Sequence, residues 1–237
     1  MRLHIIRHAD PDYGIDGLTA LGKSQAKALA ERMAAFPLTH IYTSPFGRSR
    51  ETARYTSDAT GIRAEDVEWL REMSDLRTEY TSDVLPNPVV IWDLPGDYLR
   101  RIGAEEKGID SESGLFPQPL TRDRFAELSM GWYSWLKNEG IDVTERGWRT
   151  DIRLRGSDIA FFCHHGVGLA LLSIILDIPV TSLWRSIWLP PASVTTILFE
   201  QYEKTKVNPR VICLGSTSHL TGSMQENNVS GLIYNTR

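Results

Sequence analysis

The stretch Asp158-Ile-Ala-Phe-Phe-Cys163 constrains this chain more than any other. After its first residue it is apolar throughout, so a strand made from it is buried on both faces and belongs inside a covered sheet. It runs through His164-His165-Gly166 into the apolar stretch Val167 to Leu176, read as a helix closed off by Pro179. A buried strand leading into a helix is the repeating unit of a parallel sheet with helices on its faces. The rest of the chain supplies more of these units. Leu3 to Ile6 is a short run of β-formers. Leu18 to Phe36 places Leu21, Ala26, Leu29, Ala30 and Met33 at helical spacing, with Thr19 as N-cap and Pro37 forbidding continuation. A strand at His40 to Thr43 leads through Ser44-Pro45 to a helix over Arg48 to Ala59, stopped by Gly61, and Val67 to Leu70 reads as a third short strand. Ser193 to Phe199 and Arg210 to Leu214 supply two more. The expected fold is α/β, a three-layer α/β/α sandwich around a mostly parallel sheet.

Between about Met73 and Gly156 this pattern gives way to proline, glycine and charge, as in Pro86-Asn87-Pro88, Leu94-Pro95-Gly96-Asp97 and Leu115-Phe-Pro-Gln-Pro119. Only Phe125, Leu128, Trp132 and Leu136 keep helical spacing. Residues 73–157 therefore read as a cap inserted into a single domain of residues 1–237. Trp92, Trp132, Trp135, Trp148, Tyr80, Tyr98 and Tyr133 crowd into this region. They serve either as its own core or as a stacking surface for a leaving group, and the cap is expected to close over the strand ends. With 237 residues, 41% of them hydrophobic, the chain can bury one substantial core. A net charge of −4 gives no basic field for nucleic acid, though a local anion site is compatible with it. Cys163 and Cys213 both lie in apolar runs and read as buried thiols, which implies a cytoplasmic setting. The opening MRLHIIRHAD lacks a signal-peptide core, and Leu169 to Leu176 is too short to cross a bilayer, so a soluble chain with no membrane partner is expected. Oligomeric state is left open.

Ligands of open α/β sheets bind beyond the carboxyl ends of the strands. Three such ends carry chemistry here: Arg7-His8, Ser44-Pro45 leading to Arg48, and His164-His165-Gly166. Alone, each has a plain reading: a solvated strand end, the charged face of a helix with Arg48, Arg50 and Arg54 beside Glu51, a capped helix start. Together they place arginine forks and imidazoles around one spot, a combination suited to phosphate. His4 and His8 have the spacing of a metal pair only on a helix; on a strand they do not form one, so no metal is expected.

In the order Arg7-His8, Leu18-Thr19-x-x-Gly22-x-x-Gln25-Ala26, Ser44-Pro45-x-x-Arg48-x-x-x-Thr52-Ala53, Leu70-Arg71-Glu72 and His165-Gly166, the chain resembles the histidine phosphatase superfamily, the phosphoglycerate-mutase-like proteins. The resemblance covers about the first 72 residues and then residues 158 to 215. It implies that His8 is the nucleophile and carries a phosphoryl group, that Arg7 and Arg48 bind its oxygens, and that His165 donates a further hydrogen bond to it. Glu72 stands where many members carry the proton donor, with Asp10, Asp75 and Glu79 as neighbouring carboxyl groups. No cofactor and no metal are implied. Several departures stand out. Ala9 follows the nucleophile where the family commonly has glycine, MSDLRTEYTSD replaces a Gly-x-Trp-x-Gly segment after Glu72, and Ser111-Glu112-Ser113 only partly echoes a Gly-Glu-Ser segment. His219 resembles a tail segment that lines the site in some phosphatases; a surface tail is the other reading. The implied function is metal-independent hydrolysis of a phosphomonoester, with a phosphorylated small molecule as partner. The alternatives are a phosphoglycerate-type mutase, with Arg100-Arg101 or Arg122-Asp123-Arg124 holding a carboxylate, and a phosphate-binding module without turnover.

Overall fold

The computed structural model describes residues 1–103, 116–145, 147–154, 156–226 and 228–232. Strand β1 (Arg2–Arg7) is followed by the paired short strands β2 (Pro11–Asp12) and β3 (Gly17–Leu18), helix α1 (Ala20–Ala34), β4 (Leu38–Thr43), α2 (Gly47–Thr60) and β5 (Ala64–Asp66). A second short pair, β6 (Arg77–Thr78) and β7 (Val89–Val90), precedes α3 (Gly96–Arg101) and α4 (Leu120–Asn138). Then come β8 (Ile141–Thr144), β9 (Gly147–Thr150), β10 (Asp158–Cys163), α5 (His165–Leu176), α6 (Val180–Ser186), β11 (Val194–Glu203), β12 (Lys206–Ser216) and α7 (Ser223–Glu226).

Eight strands form one sheet in the order β5-β4-β10-β1-β11-β12-β9-β8. The first four are parallel neighbours, as the strand–helix alternation requires, and this half carries the site. From β11 onward the pairing is antiparallel, because β11 and β12, like β8 and β9, are joined by two residues, a connection too short for a parallel crossover. β10 lies between β4 and β1, and all six of its residues are buried. Its side chains alternate between two cores. Ile159, Phe161 and Cys163, with Leu3 and Ile5 of β1, face the side covered by α4 and α5, while Ala160 and Phe162, with Ile6, face α1 and α2. Full burial of a side chain such as Phe161 contributes about 1.5–3 kcal/mol.

Helix ends follow the sequence signals closely. The Thr19 hydroxyl accepts the Gly22 N–H at 3.0 Å, and Gly61, at φ +74°, closes α2 in a left-handed turn. Val67 to Leu70 is not a strand. After β5 the Val67 N–H bonds the Thr43 carbonyl, and the chain then turns into a short 3₁₀ helix, Glu68–Leu70, that buries Leu70. Cys163 is buried, but Cys213 is partly exposed, since β12 is covered far less than β10 and buries only Val207; both thiols are free.

Residues 73–157 divide between two tasks. Helix α4 packs onto the sheet, with Trp135 at 4.9 Å from Phe161 and Trp132 stacked on Trp135, while β8 and β9 extend the sheet at its antiparallel edge. Residues from 74 to 93 instead contribute to the rim of a cleft beyond the parallel strand ends. Most of the aromatic crowding is thus core, and Trp92 is the tryptophan of this segment that reaches the cleft.

Candidate active site

The site is built by three adjacent strands ending in register. Beyond β1, the His8 N–H donates to the Cys163 carbonyl at 3.0 Å; beyond β4, the Ser44 N–H donates to the Phe162 carbonyl at 2.8 Å. These bonds set His8, Ser44 and His164-His165 side by side. A cleft of about 300 Å³ opens above them, and Arg7, His8, Arg48, Glu72 and His165 all line it. The structure thus brings together all five residues singled out from the sequence.

His8 is held in one tautomer. Its Nδ1 donates to its neighbour's carbonyl, Ala9 O, at 2.8 Å, which leaves Nε2 unprotonated; that nitrogen accepts a long hydrogen bond from Arg48 Nε at 3.3 Å. Burial, reinforced by the charges of Arg7 and Arg48, drives the imidazole pKa well below 6.5, so the ring is neutral near pH 7. The methyl group of Ala9 is accommodated in the core against α1 and α2, and its N–H donates to the Thr52 hydroxyl at 3.1 Å. A side chain at Gly22 would collide with the Asp10 carbonyl, so α1 packs directly against the loop that follows the nucleophile.

Both arginines are anchored by neighbouring groups of the protein. Arg48 Nη1 meets Asp16 Oδ1 at 2.5 Å, and the other oxygen of Asp16 accepts the Gly47 N–H at 2.6 Å. The guanidinium lies between the Tyr13 and Phe46 rings, 5.4 and 5.1 Å from their centres. Arg7 donates from Nη1 to the Leu189 carbonyl at 2.6 Å and from Nη2 to the Ser230 carbonyl at 3.1 Å, while its buried Nε has no hydrogen-bond partner among the described residues.

The two histidines after β10 have different tasks. The Leu189 N–H donates to His165 Nδ1 at 3.3 Å, which places the proton on Nε2, and burial beside Arg7 lowers this pKa to about 3. His165 is therefore a neutral donor on the cleft wall. His164 is fully buried behind His8, its Nε2 at 2.7 Å from the Ser44 hydroxyl and its ring edge-on to His8 at 5.0 Å.

Glu72 reaches the cleft but is heavily engaged. Its Oε2 accepts the Gly166 N–H at 3.0 Å, and its Oε1 accepts those of Val167 and Met73 at 2.8 and 3.1 Å. Two of these donors belong to the first turn of α5, so the carboxyl caps that helix. Burial pushes its pKa up against the pull of the three N–H donors. The other carboxyl candidates stand outside the cleft lining. Asp10 accepts from the Thr19 hydroxyl at 2.7 Å, Asp75 pairs with Arg124 at 3.4 Å, and Glu79 is exposed. Arg100, Arg101, Arg122 and Arg124 also lie outside it, and His219 sits beside Arg32 at 3.1 Å. Ser111-Glu112-Ser113 lies outside the described residues.

One carboxyl group escaped the sequence reading. Asp93, at the end of a 3₁₀ turn (Ile91–Asp93), lines the cleft, and burial raises its pKa to about 6. No periodicity or motif marks it; its only signal was the adjacent Trp92. Among the described residues, no group of three or more His, Cys, Asp or Glu is arranged to hold a metal ion, and no helix is long and apolar enough to cross a membrane.

Residues 3–83 match the family model of the histidine phosphatase superfamily, branch 1. Over those residues, about a third of its length, the chain is similar to the histidine phosphatase superfamily. Among curated relatives, a probable phosphoglycerate mutase GpmB of Yersinia enterocolitica is 40% identical over 57 residues, 24% of this chain. The chain spans 26% of that relative's length, about a quarter. Solved structures share the fold over nearly the whole chain. A mycobacterial glucosyl-3-phosphoglycerate phosphatase superposes with a TM-score of 0.60 at 21% identity, covering 91% of this chain and 98% of its own. A phosphoserine phosphatase mutant from Entamoeba histolytica, in complex with phosphoserine, superposes with a TM-score of 0.58 at 19% identity, covering 93% and 99%.

Proposed function

We propose that the protein hydrolyses phosphomonoesters of small molecules through a phosphohistidine on His8. The observation that carries this reading is the state of His8: a neutral imidazole with Nδ1 tied to Ala9 and an unprotonated Nε2, beside Arg48, on a cleft walled by Arg7, Arg48 and His165. A lone pair beside two guanidinium groups has one evident purpose, attack on an electrophile that arrives bearing negative charge.

In the proposed cycle the ester's phosphoryl oxygens settle among Arg7, Arg48 and His165, and His8 Nε2 attacks phosphorus in line as the leaving oxygen departs. Water then cleaves the phosphohistidine and releases orthophosphate. The arginines, fixed beforehand by Leu189, Ser230 and Asp16, need little reorganisation as charge spreads over the transferring group. An alkyl leaving group requires a proton, and the cleft offers two carboxyl groups, Glu72 and Asp93.

Hydrolysis is preferred to phosphoryl return. The matches to curated mutases lie within part of the chain, and the basic residues expected to hold a phosphoglycerate carboxylate line no part of the cleft; beyond Arg7 and Arg48, only Arg77 adds a cation to its described lining. The neighbours that superpose over the full length include phosphatases of phosphoserine and glucosyl-3-phosphoglycerate, which favours a small phosphorylated organic acid as substrate class. Two free thiols fit a reducing compartment, and a cytoplasmic location forms part of the proposal.

The test is hydrolysis of p-nitrophenyl phosphate with a metal chelator present, by the wild type and by His8→Ala. Chelator-resistant turnover that disappears in the variant is the expected result. Turnover that survives the loss of His8 refutes the phosphohistidine route.

A further inference from the structure

We infer that Asp93 and Arg77 read the leaving group, and that this group is zwitterionic: an amino acid whose ammonium group meets Asp93 and whose carboxylate meets Arg77. This assignment deepens the phosphohistidine reading and rests on it, since the cleft must first hold a phosphoryl group at Arg7, Arg48 and His165. Glu72, bonded to the Gly166 N–H, stands where the resemblance to the superfamily puts the proton donor. The described cleft lining then keeps two charged groups without a task, Arg77 and Asp93, and they carry opposite signs.

Asp93 ends the short 3₁₀ turn Ile91–Asp93 and is half-buried, and no hydrogen bond from a described residue reaches its carboxyl group. Arg7 and Arg77 favour its charge through space and Glu72 opposes it; burial outweighs them and sets its pKa at about 6, so the group is mostly ionised at neutral pH. A carboxylate withdrawn from water without a donor is unfavourable to keep, and a bound cation with N–H donors relieves it. The adjacent Trp92 also lines the cleft, and an indole ring attracts an ammonium group.

Arg77 is tied elsewhere and does not neutralise Asp93. Its Nε donates to the Ser74 carbonyl at 3.1 Å and its Nη1 to the Pro88 carbonyl at 3.0 Å, just before β7. Two neutral carbonyls thus fix the guanidinium on the rim and leave Nη2 uncommitted among the described residues. Opposite charges held apart on one cleft, each with bonding capacity left, match a ligand that carries both. A sugar or plain alkyl group leaves the Asp93 carboxylate without a counter-charge, and a purely acidic group is repelled by it. The cleft, at about 300 Å³, lies at the small end of ligand pockets, in keeping with a phosphorylated amino acid.

The experiment measures kcat/KM for O-phosphoserine, 3-phosphoglycerate, phosphoethanolamine and p-nitrophenyl phosphate with a metal chelator present. Assays at about pH 8 keep Asp93 ionised and an alkylammonium group protonated. 3-Phosphoglycerate carries a hydroxyl where phosphoserine carries its ammonium group, and phosphoethanolamine lacks only the carboxylate. All three leave as alkoxides, so proton donation cancels from their ratios, as does partial loss of folded protein within one variant. The wild type is expected to prefer phosphoserine to both analogues by at least ~10-fold. Asp93→Asn is expected to lose the preference over 3-phosphoglycerate and keep that over phosphoethanolamine; Arg77→Gln is expected to do the reverse. A wild type that hydrolyses the aryl ester without preferring phosphoserine overturns the assignment while sparing the phosphatase. So do variants whose ratios stay within about twofold of the wild type, including an Asp93→Asn enzyme that loses all three alkyl esters equally. A wild type inactive on every ester overturns the phosphatase reading and the assignment together.

Discussion

Thr52→Val isolates the tie that holds the nucleophile loop. Thr52 is fully buried; its hydroxyl accepts the Ala9 N–H at 3.1 Å and donates to the Arg48 carbonyl at 2.7 Å. Valine has nearly the same shape, so the change leaves no cavity and deletes only the hydroxyl. The Ala9 N–H is then buried without a partner, at a cost of about 1–3 kcal/mol. Taking 2 kcal/mol as the middle of that range, Tm falls by roughly 4–8 °C for a domain of this size. A second effect follows from the other end of the same residue, since the Ala9 carbonyl accepts the His8 Nδ1 proton. A loop released from Thr52 lets the imidazole swing, so kcat for p-nitrophenyl phosphate is expected to fall while chemical denaturation shows the protein still folded. Scanning calorimetry and steady-state kinetics on Thr52→Val and Thr52→Ser check this, serine restoring the hydroxyl. A valine variant within about 1 °C of the wild type, or a serine variant that loses as much, would show that Thr52 does not hold the loop.

Acid should destabilise the fold in a defined window. His4 and His219 are lowered to about 4 and His165 to about 3, chiefly by burial, against 6.5 for a free imidazole. The unfolded chain therefore takes up protons below pH 6.5 that the native chain refuses, so stability is fully present above 6.5 and is lost as pH falls toward 4. Urea titrations across that range should show it, and His4→Gln should flatten the slope by about one proton. Two glycines of one helix should respond oppositely to alanine. At Gly166 a Cβ would lie 2.6 Å from the Trp92 ring and 2.9 Å from Glu72 Oε1, so Gly166→Ala should cost about 1–3 kcal/mol and distort the cleft. At Gly168 the nearest atom is Leu189 Cδ1, at 3.4 Å, and Gly168→Ala should gain up to about 1 kcal/mol from helix propensity. Thermal unfolding of the two variants distinguishes them.

The legible parts of this molecule are those where local chemistry and tertiary demand agree. β10 could be read because a strand buried on both faces has no polar residue to spare, and α1 because Thr19 and Pro37 bracket a periodic apolar face. Arg7, His8 and His165 were legible as residues following strand ends, and Arg48 as the start of the helix that follows β4. The antiparallel half was less so: β8 and β9 are four residues each, with one buried residue apiece, and owe their existence to pairing rather than to pattern. Val67 read as a strand because its N–H does continue toward β4, yet the chain turns one residue later to bury Leu70. Asp93 was invisible for a different reason. A raised carboxyl pKa is made by burial and by neighbouring charges, and those neighbours come from β1, β6 and the loop at Glu72, segments that no spacing in the sequence connects to it.

The central position of β1 sets an order of events during synthesis. Its two neighbours in the sheet are β10 and β11, and the pairing of Arg2 with Asp158 spans 156 residues. At roughly 5–20 residues per second, a nascent chain carries His8 for about ten seconds or more before its strand has any sheet partner. Through that interval Leu3, Ile5 and Ile6 wait uncovered by the strands that flank them in the finished fold, a period in which chaperone protection matters most. The same delay is a safeguard. Without β10 there is no Cys163 carbonyl to hold His8, no His165 and no helix for Glu72 to cap, so a half-made chain carries the nucleophile but has no means of using it.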